Sequence, residues 1–337
     1  MFYQEETTIK EMIVHILDPF MMTPIFSHQI IESSPHALDF FLPHIIKLLN
    51  DDQIKSCRFS EEQNMFLGYI KDYQSEKTDL ITTSVNIGEK LFAIMQNNPD
   101  IPAADLAVIR FLNKSVPYLA LLKLNYQKSY IHDSDYEAEQ LCNHILEYRT
   151  SLPSPSQRIN EGVVINLHDL SIQVVEKSYL VDGLKQPYLS NILLKCATGL
   201  SSKEQLNIVK QTTNQISKKY FNDDPEKKIT LNKELYEAIG EDGMIQLDTY
   251  ANKVFRHTPE VKEQFMETME KKGLDKPTVT LQEKTIAKAF TKQKIRTDEG
   301  VEITIPMAFY NDPSKMEILT DSTGRITITI KDVNKIM

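Results

Sequence analysis

The sequence predicts an α+β protein, with an antiparallel sheet and helices in the N-terminal half and a helical segment plus a small β-sheet in the C-terminal half. Two aliphatic runs between residues 102 and 126 have the composition of paired strands, and apolar residues before them recur at helical spacing. Near the end of the chain, apolar and polar residues alternate as in half-buried strands. The 337 residues suit two domains, which we place at 1–182 and 183–337 because Asp182-Gly183 is a natural break.

The first hundred residues predict a strand pair followed by helices. Residues 8–31 contain two apolar runs, which Asp18-Pro19 separates. Ser34-Pro35 then begins a helix with an apolar face, and Pro43 inside this helix should kink or split it. Two further helices are predicted near residues 60–73 and 78–97.

The middle of the chain predicts strands. Leu106–Leu112 and Val116–Tyr126 are rich in aliphatic residues and tyrosine, and Asn113-Lys114-Ser115 between them predicts a hairpin turn. Further strands are predicted at residues 140–150 and 157–180, which completes the sheet of the first domain.

The second half begins with helices and ends with strands. Ser201 and Glu204 form a capping-box pattern at the start of a long helix. Thr258-Pro259 begins a later helix, which Gly273 should stop. The predicted C-terminal strands are Val301–Ile305, Lys315–Leu319 and Arg325–Lys331.

The charge balance limits the kinds of partner. The formal net charge is −9, so the molecule as a whole repels duplex DNA, and any DNA contact must come from a local basic patch. The N-terminus lacks the basic and apolar regions of a secretory signal, and charged residues interrupt every long apolar run. The three cysteines form no C-x-x-C pair, so we expect reduced thiols in the cytoplasm and no membrane partner.

Catalytic motifs are missing from the sequence. It contains no G-x-x-x-x-G-K-[ST], G-x-G-x-x-G, G-x-S-x-G or H-E-x-x-H pattern. We therefore predict no catalytic residues, no cofactor and no metal site, and a protein that is not an enzyme.

Two enzymatic alternatives stay open. His132, Asp133 and Asp135 could bind a hard metal or exchange protons, although a polar hairpin turn explains the same residues. Asp105 and Lys123 lie on successive predicted strands, as in one class of nuclease, but the acidic residue that should stand two positions before the lysine is missing.

A basic stretch near the C-terminus is the candidate binding site. Lys284, Lys288 and Lys292 recur every four residues, which keeps them on one face of a helix at about 100° per residue. Lys294 and Arg296 extend this patch into the next turn. A row of such side chains can neutralise successive phosphates, although most lysines simply cover solvated helix faces.

A second, weaker basic cluster lies on the long helix that Ser201 begins. It consists of Lys203, Lys210, Lys218 and Lys219.

Several sequence blocks together resemble the 37-kilodalton class of bacterial nucleoid-associated proteins, over nearly the whole chain. The blocks are His15–Asp18, Asn98–Leu106, Tyr118–Tyr126, Leu152-Pro153-Ser154 leading to Gln157-Arg158-Ile159, and Lys292–Ile303. The resemblance implies a cytoplasmic protein of the nucleoid that binds DNA and has no enzymatic activity. It defines no contact residues, so the basic site follows from the spacing of its residues, with support from the position of this stretch at one of the resembling blocks.

These observations favour a DNA-binding nucleoid component whose partner is double-stranded DNA. A homodimer would double the basic patch and raise avidity. The alternative is an interaction protein, which would engage DNA-handling proteins through its acidic surface.

Overall fold

In the computed structural model, the protein consists of two compact units, Met1–Gly199 and Leu200–Met337. The structure describes residues 2–60, 64–137, 140–221, 225–296, 299–306, 309, 312, 314–321, 323 and 325–333. Asp182-Gly183, the expected domain boundary, is a two-residue turn with positive φ at both positions, the conformation that closes tight hairpins. The chain after this turn stays in the first unit, because Cys196–Thr198 pairs with Lys55–Phe59.

The first unit is built on strands. They are β1 (Thr7–Leu17), β2 (Lys55–Phe59), β3 (Ala104–Asn113), β4 (Val116–Asn125), β5 (Gln127–Glu137), β6 (Gln140–Ser151), β7 (Gly162–Asn166), β8 (Ile172–Val175), β9 (Ser178–Val181), β10 (Leu184–Pro187) and β11 (Cys196–Thr198). Seven of them form an antiparallel sheet in the order β1-β3-β4-β7-β8-β2-β11. The predicted α+β class and the central β3–β4 hairpin are confirmed.

Helices cover both faces of this sheet, because its central strands are apolar on both sides. Leu106 and Val108 of β3 contribute to one core, and Ala107 and Ile109 contribute to the other. The helices are α1 (Pro35–Leu49), α2 (Met65–Gln74) and α3 (Leu80–Asn97), with a short π-helical turn at Leu189–Leu194. The core of α1 lies on one face, and that of α2, α3 and the π-helical turn lies on the other.

Two local features of the first unit differ from the sequence expectations. Of the kink or split expected at Pro43, the split is absent: helix α1 continues through the proline, because Phe41 and Ile45 on either side of it are both buried in the sheet core. Only the first of the two expected strands within residues 8–31 is present, as part of β1 (Thr7–Leu17), and its expected partner contributes a single bridge between Ile16 and Ile25. Pro24 has no backbone N–H, so it cannot extend this pairing.

Two cysteines that are distant in sequence meet in the first unit. Cys57 of β2 and Cys196 of β11 are buried free thiols, with Sγ atoms 3.0 Å apart. The two thiols meet because β2 and β11 are neighbouring strands, and the spacing of the cysteines in the sequence did not indicate this pairing.

The second unit is mainly helical, and its described strands pair in two-stranded sheets. Its helices are α4 (Ser202–Tyr220), α5 (Pro225–Glu237), α6 (Leu247–Val254), α7 (Pro259–Lys271) and α8 (Glu283–Phe290). Its strands pair as β12 (Met244–Gln246) with β13 (Thr278–Thr280), β14 (Lys292–Arg296) with β15 (Glu302–Pro306), and β16 (Met316–Thr320) with β17 (Ile326–Ile330).

One apolar core holds the helices of this second unit together. Val209, Tyr250 and Phe265 lie at its centre and are almost fully buried. The predicted capping box is present, since Ser201 and Glu204 satisfy each other's backbone N–H groups at the start of α4. Among the described residues, no helix is both long and apolar enough to cross a bilayer.

Candidate nucleic-acid interface

The predicted basic helix is shorter than expected. Helix α8 ends at Phe290, and Lys292–Arg296 forms strand β14, so a single helical face over residues 284–296 is wrong. Pairing with the alternating β15 gives this segment a backbone partner, which outweighs the helical spacing of its lysines.

The five basic residues therefore divide between two elements. Lys284 and Lys288 are one turn apart on α8. Lys292, Lys294 and Arg296 take alternate positions of β14, opposite Pro306, Thr304 and Glu302 in that order. The side chains of Lys294 and Arg296 lie outside the described part of the structure.

Helix α8 is fixed to α4 near its N-terminus by hydrogen bonds. Ser202 Oγ donates to Thr285 Oγ1 over 2.9 Å, and it accepts from the backbone N–H of Gln282 at 2.8 Å. Ser202 and Thr285 are both buried, so these bonds form away from water.

Aromatic packing fixes the other end of α8. The Phe290 ring is buried, with its centroid 5.3 Å from that of Tyr236 and 4.2 Å from Lys210 Nζ. The helix that carries Lys284 and Lys288 is thus held at both ends, and its lysines keep fixed positions on the unit.

The lysines of α8 and β14 differ from many others in the second unit. Lys288 and Lys292 are exposed and Lys284 is half-buried. Neither Lys284 nor Lys292 has an ion-pair partner among the residues that the structure describes. By contrast, Lys262 pairs with Asp248 at 2.7 Å, and Lys253 pairs with two glutamates. Lys284 and Lys292 are therefore available to an anionic ligand.

The second basic cluster does not form one surface. Lys210 packs beneath α8, where its Nζ donates to the Ala289 carbonyl at 3.3 Å, and burial lowers the pKa of this lysine. Lys203 is exposed at the start of α4. Lys218 and Lys219 lie roughly 20 Å further along the helix axis at 1.5 Å per residue.

The metal-site alternative is contradicted by strand alternation. Tyr130–Tyr136 is not a turn but part of strand β5, where successive side chains point to opposite faces. His132 therefore lies on one face of β5, while Asp133 and Asp135 lie on the other. In the described part of the chain, no three His, Cys, Asp or Glu side chains are grouped closely enough to hold a metal ion.

The nuclease alternative fails for the same reason. Asp105 lies opposite Leu124 and Lys123 lies opposite Leu106, so the carboxylate and the lysine are on different faces of the sheet. Each already has a partner, since Tyr126 OH donates to Asp105 Oδ1 at 2.6 Å and Lys123 is committed to a buried network.

This buried network was not found by sequence reasoning. Lys123 is 3% exposed and its Nζ lies 3.6 Å from Oε2 of the fully buried Glu161. Lys123 also donates to the Pro102 carbonyl at 2.9 Å, and burial lowers its pKa to about 8. Tyr179 and Tyr188 donate to Glu161 at 2.8 and 2.7 Å. The sequence signal that could have indicated this network is the single lysine, Lys123, within the leucine-rich strand β4.

Comparison with protein families assigns the molecule to the nucleoid-associated proteins. The match covers residues 13–337, and the chain belongs to the family described as nucleoid-associated protein YejK, NA37. The resemblance seen in the sequence is thereby confirmed, and this family is not a known enzyme family. Comparison with curated proteins finds no match.

Proposed function

We propose that this nucleoid-associated protein binds double-stranded DNA in the cytoplasm through phosphate contacts, as a homodimer that presents two basic patches. The contacts are assigned to Lys284, Lys288, Lys292, Lys294 and Arg296. The observation that carries the proposal is the anchored α8, which presents Lys284, a lysine without an ion-pair partner among the described residues, next to a basic strand that begins with the exposed Lys292.

Lysine chemistry favours backbone contact over base reading. An ammonium group is a compact point charge that suits a phosphate oxygen, whereas base discrimination relies mainly on bidentate groups. Binding is therefore largely independent of DNA sequence. Because the whole molecule carries a net charge of −9, affinity depends on the local patch and decreases when salt screens it.

The test is a DNA-binding titration at several salt concentrations. Neutralising five phosphates gives a log–log salt slope of about −4.5 for one patch, at about 0.9 per phosphate. Changing all five residues to glutamine should remove most of this slope and most of the affinity at low salt. An affinity and slope equal to those of the wild type would refute the assignment of these residues.

A matched control removes the same charge elsewhere in the second unit. It changes five exposed lysines to glutamine: Lys218, Lys219, Lys253, Lys271 and Lys276. Both variants have the same net charge, so a loss confined to the first variant assigns binding to the patch. If both lose affinity equally, only the total charge matters and the assigned contacts are wrong.

A protein partner is the competing function. An association with a DNA-handling enzyme that survives nuclease treatment, in a protein whose DNA binding does not respond to salt, would favour it over direct DNA binding.

A further inference from the structure

Strands β5 and β6 form a ribbon, defined here as Gln127–Ser151. They are 11 and 12 residues long and make a two-stranded sheet of their own. Both exceed the usual strand length, and an isolated two-stranded hairpin is at best marginally stable in water. Long exposed strands also invite pairing with other chains, so proteins normally cover or charge them. The ribbon therefore needs a contact outside itself.

The strand register divides the ribbon into two faces, since residues directly opposite each other share a face. Tyr130, Leu141 and Ile145 are 68, 60 and 73% exposed and belong to one face. We call this the apolar ribbon face. Ile131 and Leu146 lie on the other face and are less exposed, at 47 and 44%. The apolar ribbon face is thus the more exposed of the two.

The two faces of the ribbon also differ in charge. Asp133 and Asp135 lie on the opposite face, whereas the described positions of the apolar ribbon face between Tyr130 and Ile145 hold His132, Ser134 and Asn143. Ser134 Oγ donates to Asn143 Oδ1 at 2.6 Å, so this pair of polar side chains is satisfied within the ribbon.

Among the described positions of the apolar ribbon face, charged residues lie at its base, next to Tyr130. There Glu147 accepts from Lys128 at 2.8 Å and from Arg149 at 2.5 Å. The face therefore combines exposed apolar side chains with uncharged polar ones and has charge at its base, and protein interfaces likewise are about as apolar as other surface but have few charges at their core.

The exposed area suits a symmetric dimer. Tyr130, Leu141 and Ile145 together expose roughly 400 Å² per chain, since a large aromatic side chain can bury 150–250 Å². Two copies would bury roughly 800 Å² of apolar surface. A standard interface buries about 1,600 Å², of which about 57% is apolar, or roughly 900 Å².

We propose that the apolar ribbon face packs against the same face of a second copy across a two-fold axis. A two-fold interface brings one patch against itself, so it must be self-complementary, and this face meets the condition because its described positions outside the charged base carry no carboxylate or lysine. The opposite face would bring Asp133 and Asp135 against their own copies. The inference rests on the homodimer in the proposed function and names its surface.

Sedimentation equilibrium of the full chain over a wide concentration series tests the proposal. The variant Tyr130→Ser/Ile145→Ser should weaken dimerisation by roughly 100-fold or more, since each lost contact counts twice in a symmetric dimer. The control variant Leu180→Ser/Leu184→Ser removes comparably exposed side chains, 53 and 67%, from another hairpin. It should dimerise like the wild type.

A wild type that is monomeric over the whole series overturns the proposal, as does a ribbon variant that dimerises as tightly as the wild type. If the double variant misfolds, Leu141→Ser provides the same comparison with a smaller loss. Hydrogen exchange gives a second readout: ribbon amides should exchange faster in the variant while β3 and β4 stay protected. If the wild type is a monomer whose DNA binding depends on salt, the proposed dimer surface is wrong but the proposed DNA contacts are not contradicted.

Discussion

The two units use lysine in opposite ways. In the N-terminal unit, Lys123 is enclosed in the sheet core beside Glu161, and hydrogen bonds satisfy the charges that burial isolates from water. In the C-terminal unit, Lys288 and Lys292 stand in solvent on an anchored helix and its following strand. Lys123 is therefore occupied by partners inside the fold, whereas Lys292 has no ion-pair partner among the described residues and is available for a phosphate.

The largest expected effect is on the buried lysine. Lys123→Met should lower the free energy of unfolding by about 3–5 kcal/mol, because it leaves the Glu161 carboxylate buried without its cation. Urea unfolding at neutral pH measures this loss. The salt slope of DNA binding should stay at the wild-type value.

The double variant Lys123→Met/Glu161→Gln is the control for this prediction. It removes both charges and should recover part of the lost stability. A loss below about 1 kcal/mol in the single variant would show that the network contributes little and would weaken the contrast between the units.

A second titratable group of the N-terminal unit gives a pH test. His15 is fully buried, its Nδ1 accepts from Ser27 N at 3.1 Å, and its Nε2 contacts Ser84 Oγ at 2.9 Å. Ser84 Oγ donates to Ile81 O, so it accepts from His15 Nε2–H and both ring nitrogens are used by the neutral imidazole. Burial, aided by the charge of His28, lowers the pKa of His15 to about 4.

The sign follows from proton binding. Between about pH 6.5 and 4, unfolded His15 is protonated and folded His15 is not, so stability falls as pH falls through this range. The expected loss is about 3 kcal/mol, at 1.36 kcal/mol per pH unit. Unfolding of His15→Gln should be less sensitive to pH in this window, whereas His28→Gln should keep most of the fall. Equal pH profiles for His15→Gln and the wild type would contradict the assignment.

Sequence patterns predicted the elements whose local and tertiary preferences agree. The β3–β4 hairpin and the start of α4 follow from apolar runs and a capping box, and both are present. The prediction was wrong at Lys292. The four-residue spacing of the lysines predicted a helix there, but pairing with β15 makes this segment a strand. Spacing describes one element, whereas pairing depends on residues elsewhere in the chain.

The two ribbon strands show the same limit. Asp133 and Ser134 are typical turn residues, yet they continue a strand because β6 pairs with them throughout. The burial of a lysine could not be predicted from the sequence either. Lys123 and Lys292 are the same residue type, and only the sheet register places Lys123 beside Glu161. The five basic residues are a prediction from sequence, and their division between a helix and a strand was not predicted.

A smaller effect on stability is expected at Lys210, and it distinguishes a lysine that packs within the C-terminal unit from one that binds DNA. Lys210→Met keeps an apolar stem beneath α8 but loses the cation that lies 4.2 Å from the Phe290 ring centroid. We expect a loss of about 1 kcal/mol in unfolding free energy, the usual range for a partly desolvated cation–π contact. Thermal or urea unfolding measures it, and the salt slope of DNA binding should not change. A reduced slope would make Lys210 a phosphate contact.

The smallest expected change in stability belongs to Lys284→Met, the matched partner of Lys210→Met. Lys284 is half-buried and has no ion-pair partner among the described residues, so the free energy of unfolding should stay within about 0.5 kcal/mol of the wild type. The salt slope of DNA binding should nevertheless become shallower by about 0.9, the contribution of one phosphate. The two variants remove one charge each from the same region, yet one should affect folding and the other binding. If both variants change the same property, Lys210 and Lys284 do not differ in role as their surroundings indicate.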